Sequence, residues 1–139
     1  MSDTKNLKHL GSNKTDYKYD TADVTLLETF ENANPGEAME IYIKHPEFTS
    51  LCPKTGQPDF ATIHVWYVPD KLCVESKSFK LYCGSFRQFG EFHEDCTARI
   101  LKDLRELLNP RQIKVQGEFK PRGGISFIPT AIWKQPQPK

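Results

Sequence analysis

The hydrophobic period of this chain switches twice, and that double switch constrains the fold more than any bulk property. Met39–Lys44 alternates, with Met39, Ile41 and Ile43 set against Glu40, Tyr42 and Lys44, the pattern of a half-buried strand. His45-Pro46 ends or bends it. After the breaker-rich loop Leu51–Pro58, Ala61–Val68 alternates again, with Ala61, Ile63, Val65 and Tyr67 on one face. Beyond the turn at Pro69-Asp70 the period becomes helical. Phe79, Tyr82, Cys83 and Phe86 recur at i, i+3, i+4 and i+7, an amphipathic stripe, with Ser76 as the expected N-cap and Gly90 as the expected C-terminal residue of positive φ. A second helix is predicted over 92–108, with Phe92, Cys96, Ile100, Leu104 and Leu107 or Leu108 facing inward and Asn109-Pro110 as its stop. Period two then returns in Ile113–Phe119 and, after the turn 120–123, in Gly124–Ile132, where Pro129 marks an edge strand or a strand end.

The order is strand, strand, helix, helix, strand, strand. It predicts an α+β domain: one antiparallel four-stranded sheet, ββααββ, with two helices on one face. Such a sheet leaves open edges and an uncovered face, so homo-oligomerisation by edge pairing is expected. Residues 1–36 are polar and end in Asn34-Pro35-Gly36. They read as an N-terminal arm, within which Leu26, Leu27 and Phe30 are suited to packing on the body or on a neighbour. Residues 37–133 form the body and 134–139 a tail.

A chain of 139 residues with 37% hydrophobic content builds one ordinary core. Its formal net charge of +1 provides no field for a polyanion, which argues against a direct nucleic-acid partner. The four cysteines form no CxxC pair, residues 1–30 hold no apolar signal core, and no run of eighteen apolar residues occurs. The expectation is therefore a cytoplasmic protein with reduced thiols and no membrane segment.

A few side chains are candidates for chemistry, each beside a plainer alternative. Cys52 lies in a loop punctuated by Pro53, Gly56 and Pro58; it is a nucleophile if its thiol pKa is lowered, or else a small buried hydrophobe. Asp59 is a turn aspartate or a proton donor folded back beside Cys52. His93 and Glu94 open the second helix, where they suit either a ligand or the helix dipole. Glu75 precedes a basic stripe of Lys77, Lys80 and Arg87, a solvated face or an anion site, and Arg122-Gly123-Gly124 offers a guanidinium and backbone amides to the same kind of anion. His93 and Cys96 share a ligand-like helical spacing, but no further pair stands out to complete a metal site. Cys73, Cys83 and Cys96 fall in apolar surroundings.

Four segments then carry a resemblance. ESKSFKLY at Glu75–Tyr82, FTSLCPKTGQPDF at Phe48–Phe60, FHEDC at Phe92–Cys96 and PRGGIS at Pro121–Ser126 stand in the order and approximate spacing of the NADPH-dependent 7-cyano-7-deazaguanine reductases, the QueF family. The chain is similar to the short, single-domain form, across nearly the whole body. The resemblance implies the tunnelling fold shared with GTP cyclohydrolase I, and subunits assembled as stacked rings, up to a decamer, with active sites at the interfaces. It implies Cys52 as the nucleophile that forms a thioimide with the substrate nitrile, and Asp59 as the acid. It implies Val74, Glu75, Ser76, His93 and Glu94 as the segments that hold a deazapurine, and Lys77, Lys80 and Arg122 as cations toward NADPH. No GxGxxG is present, so the dinucleotide would need the family's own site. Two other readings stand beside this one: a zinc-dependent hydrolase of the GTP cyclohydrolase type, and a non-catalytic purine- or pterin-binding module.

Overall fold

The computed structural model describes residues 17–137. Residues 1–16 of the expected arm and the last two residues of the tail lie outside the described residues. Strands β2 (Ile41–Leu51), β3 (Pro58–Val68), β5 (Gln112–Phe119) and β6 (Thr130–Lys134) form one antiparallel sheet in that spatial order. Helix α1 (Ser76–Gly84) and helix α2 (His93–Leu108) lie between the two hairpins in sequence. The fold class is the expected one, α+β with the tunnelling-fold order ββααββ.

The inward faces follow the sequence periods. Ala61, Ile63, Val65 and Tyr67 of β3 and Ile113, Val115 and Phe119 of β5 are buried. Against them pack Ile100, Leu104 and Leu108 of α2 and Phe79, Tyr82 and Cys83 of α1, all in one hydrophobic cluster. At about 25 cal/mol per Å² of apolar surface, burial on this scale is the main stabilising term. Two hydroxyl contacts tie its layers together: Tyr82 donates to Asp103 Oδ2 at 2.6 Å, and the Val74 N–H donates to the Tyr67 hydroxyl oxygen at 3.2 Å.

Several boundaries differ from expectation. Strand β2 does not stop at His45-Pro46. It bends there, with a register shift between His45 and Phe48, and runs on to Leu51. Pro46 is tolerated because β2 is an edge strand and the bulge removes the need for its missing N–H. Helix α1 begins at Ser76 and is capped by Glu75, whose carboxylate accepts from the N–H groups of Lys77 and Ser78; Ser76 is not the cap. The helix ends at Gly84, and Phe86 stays buried in the turn that follows. Gly90 is not among the residues of positive φ. Phe92 caps α2 from outside and is exposed, while Thr97 and Leu101 join the buried face. Strand β6 starts at Thr130, after Pro129 rather than before it.

A second small sheet went unforeseen. Strand β1 (Thr29–Glu31) pairs antiparallel with β4 (Leu72–Val74). Just before it, the 3-10 turn Val24–Leu26 packs on α1, and Leu27 enters the core. The described part of the arm, 17–36, is thus docked on the body. Among the described residues no helix is long and apolar enough to cross a membrane.

Candidate active site

The site forms where three loops meet at one end of the sheet. The first is the turn 52–57 that joins β2 to β3. It is closed by two backbone hydrogen bonds, Cys52 N–H to Gln57 O and Gly56 N–H to Cys52 O, each 2.9 Å, and Gly56 takes φ +69. The second is the strap before α2. Leu51 N–H donates to Phe89 O and Glu91 N–H donates to Leu51 O, both at 3.0 Å. Gly90 makes that contact possible, because a Cβ there would come within 3.2 Å of Pro53 Cα. The strap therefore delivers His93 and Glu94, in the first turn of α2, to the Cys52 loop. The third is the β5–β6 connection, 120–129, which brings Lys120, Arg122, Ile125 and Phe127.

Together these loops enclose a cavity of about 210 Å³, whose lining includes Cys52, Asp59, Phe92, His93, Glu94 and Arg122. The volume is below the roughly 300–1,000 Å³ of drug-sized ligand sites, which suits a single small ring. Phe92, Ile125 and Phe127, each about half exposed, supply apolar walls for a flat face.

Cys52 is activated by its turn. The Thr55 hydroxyl is the largest influence, followed by the N–H groups of Thr55 and Lys54, with Arg122 adding a further hydrogen bond; together they lower the thiol to about 7. Thr55 Oγ1 also accepts from Gln57 N–H at 3.2 Å, which leaves its own proton free to point at sulfur. The other thiols differ in kind: burial pushes Cys83 and Cys96 well above the ordinary range. All four cysteines are free.

Asp59 is buried near the start of β3, 5% exposed, between two partners. Arg122 forms a direct ion pair with its Oδ1, and His93 Nε2 lies 3.3 Å from its Oδ2. The His93 ring is itself stacked on Phe119, with Phe127 edge-on at 6.2 Å. Glu91, also in the lining, is held by Arg99 at 2.8 Å.

Of the residues expected at the site, Cys52, Asp59, His93, Glu94 and Arg122 meet in this cavity. Arg122 meets it on the acid rather than on a free anion subsite. Val74, Glu75, Ser76, Lys77 and Lys80 are not in its lining. The Glu75 carboxylate faces its own helix, and the two helix N–H groups hold it below the usual carboxylate range. Lys80 instead lines a separate cavity with Tyr19, His45 and Arg87. Reasoning from sequence missed Thr55, Phe119, Phe127 and Lys120. The S/T-x-x turn chemistry of Thr55 was available as a signal; the aromatic contacts were not, because they join elements far apart in the chain. Among the described residues no group of three or more His, Cys, Asp or Glu is placed to hold a metal ion.

A thiol lowered to about 7 and a buried carboxylate thus line one cavity at the end of an α+β tunnelling-fold sheet. The chain belongs to the QueF-like protein family, whose model matches residues 58–138. It is 52% identical to the NADPH-dependent 7-cyano-7-deazaguanine reductase of Streptococcus mutans over 139 residues, covering 100% of this chain and 85% of that protein. It is 51% identical to the protein of the same name from Bacillus cytotoxicus over 137 residues, covering 99% and 82%. A solved structure, the archaeosine synthase QueF-Like in the apo form, superposes with a TM-score of 0.63 at 22% identity, over 71% of this chain and 96% of that one; it supports the fold alone.

Proposed function

We propose that this chain is an NADPH-dependent oxidoreductase that reduces the nitrile of 7-cyano-7-deazaguanine to an aminomethyl group, a step toward queuosine in tRNA. The observation that carries the reading is the joint placement of Cys52, lowered to about 7, and buried Asp59 on one small cavity. A nitrile carbon accepts hydride poorly. Addition of the Cys52 thiolate gives a thioimide, in which the Cys52 sulfur is bonded to the former nitrile carbon and the triple bond becomes a double bond. The nitrogen takes a proton as that bond forms, and Asp59 is the group within the cavity to deliver it. His93, held flat by Phe119, fixes the carboxyl. Glu94 offers an acceptor to the N–H edge of the ring, and a site built on such acceptors rejects rings lacking those donors.

Conversion of nitrile to amine takes four electrons, which two NADPH bound in turn would supply, one hydride each. The residues present fit such a group. Lys120 puts positive charge at the cavity, with Arg122 already engaged by Asp59, and the Gly123-Gly124 step, with φ +57 and +82, has nothing within 4 Å of an added Cβ. A dinucleotide would exceed this cavity, and its phosphates would lie outside it.

The protein works, on this reading, as a ring-based homo-oligomer in the cytoplasm. Among the described residues the sheet has unpaired edges at β2 and β6, and Phe60 and Ile132 are exposed. Val74, Glu75 and Ser76 do not line this subunit's cavity; Val74 is buried in the core, and the exposure of Ser76 at the start of α1 leaves that end of the segment open to a neighbour. The test is incubation with the nitrile without NADPH. The expected result is a mass adduct at Cys52, followed by consumption of two NADPH per substrate once cofactor is added. Full turnover by Cys52→Ala would sink the covalent route, and stoichiometric zinc without NADPH oxidation would favour the hydrolase.

A further inference from the structure

Gly90 pairs with Leu51 as an isolated parallel bridge, so the strap before α2 is strand-like there and its side chains alternate between two sides. One side meets the Cys52 loop: Gly90 approaches Pro53, and Phe92, next on that side, is a wall of the cavity. The opposite side, Phe89 and Glu91, is gripped by one residue that is not in the cavity lining. The Arg99 guanidinium donates from Nε to both Glu91 carboxylate oxygens at 3.0 Å and from Nη2 to Oε1 at 2.8 Å. Its central carbon lies 5.4 Å from the centroid of the Phe89 ring.

We propose that Arg99 is a positioning residue for the reaction. It clamps the strap from behind against the Cys52 loop, and so sets the cavity residues Phe92, His93 and Glu94 that follow. The kinetic consequence rests on the nitrile reading above; the clamp itself rests on the geometry alone.

The strap needs such a hold. The close approach of Pro53 demands glycine at position 90, and glycine is the residue least able to keep a backbone conformation by itself. Two backbone hydrogen bonds to Leu51 fix the strap along the sheet edge but leave its lean toward the cavity free. A guanidinium is planar, meets a carboxylate at two points and stacks on an aromatic face, so it fixes orientation as well as distance. Arg99 stands in the second turn of α2, the helix that the strap itself opens. Asp103, one turn further on, already accepts from the Tyr82 hydroxyl, which leaves Arg99 to Glu91. The Glu91 side chain is 11% exposed, so the pair escapes much of the screening that weakens surface ion pairs.

Two measurements on the full-length protein test the clamp, using wild type, Arg99→Gln, Arg99→Lys, Glu91→Gln and the double variant Glu91→Gln/Arg99→Gln. The first is amide hydrogen exchange of the strap, which does not involve the nitrile. Exchange of the Glu91 N–H should speed up on the order of ten-fold in Arg99→Gln and in Glu91→Gln. The second is adduct formation at Cys52 against nitrile concentration without NADPH. The half-saturating concentration should rise on the order of ten-fold in Arg99→Gln. Arg99→Lys should resemble Arg99→Gln, because a point charge neither forks nor stacks. The double variant should be no worse than either single one, because all three break the same contact. A role confined to stabilising α2 would speed exchange along the whole helix and leave half-saturation at the wild-type value. That result, additive losses in the double variant, full recovery in Arg99→Lys or wild-type strap exchange in Arg99→Gln would each overturn the clamp. Absence of any adduct in wild type would sink the nitrile reading, while strap exchange still decides on Arg99.

Discussion

The imidazole of His93 lies flat on the ring of Phe119, with centroids 3.9 Å apart and planes 9° apart. His93 comes from the first turn of α2 and Phe119 from the last residue of β5, so this stack fixes the helix mouth to the sheet end. It aims Nε2 at the Asp59 carboxyl. Replacing Phe119 by leucine keeps an apolar residue in the core but removes the flat support. We expect kcat to fall on the order of ten- to a hundred-fold, the penalty of a misplacement near 1 Å, with far-UV circular dichroism unchanged. Wild-type kcat in that variant would show the stack to be mere packing.

Gly117 guards the same contact. An added Cβ would lie 2.6 Å from Thr97 Oγ1 and 2.7 Å from a Phe119 ring carbon, both on buried residues. Gly117→Ala should therefore cost about 1–3 kcal/mol by overpacking, and lower activity as well by tilting Phe119. Urea unfolding and steady-state kinetics on the one variant read both effects.

Cys52 should be the fastest thiol to alkylate, with a midpoint near pH 7, since its thiol is lowered to about 7. The thiolate predominates above that pH and is lost below it. Thr55→Val removes the largest stabilising bond. Each half-unit rise in the midpoint lowers the rate at pH 7 about two-fold, and Thr55→Ser should restore it. Buried Cys83 and Cys96, pushed in the opposite direction, should stay unmodified until the protein unfolds. Peptide mapping after timed iodoacetamide treatment checks the order.

Glu75 stabilises α1 as a carboxylate, because its two oxygens receive the N–H groups of Lys77 and Ser78. Its folded-state pKa is depressed, so the contribution is present above the ordinary carboxylate range and is lost as pH falls through the depressed value. Glu75→Ala should melt below wild type at pH 7, and the two melting curves should converge in acid. A gap in Tm that persists unchanged at low pH would refute the charged cap.

Leu104 is fully buried in the middle of α2. Leu104→Ala should cost about 2–5 kcal/mol, measured by denaturant unfolding, and leave the alkylation midpoint of Cys52 where it is.

The element order, the inward faces and the Cys52 turn were legible along the chain, because each depends on neighbours within a few residues. A period of two exposes Ala61, Ile63, Val65 and Tyr67 as one face, and a period near 3.6 does the same for Phe79, Tyr82 and Cys83. Pro53, Gly56 and Pro58 mark a turn wherever they stand. Even so, Pro46 reads as a strand end, and only the pairing of β2 with β3 across a bulge lets the strand continue to Leu51. Glu75 reads as an acid before a helix; whether it meets a ligand or its own helix depends on side-chain direction, and in this subunit it turns to the helix. Arg122 lies 63 positions from Asp59 in sequence, and a cation at that distance carries no mark of which anion it will meet. Their pairing follows from the three loops converging at one end of the sheet, where Coulomb attraction acts between groups the chain keeps far apart.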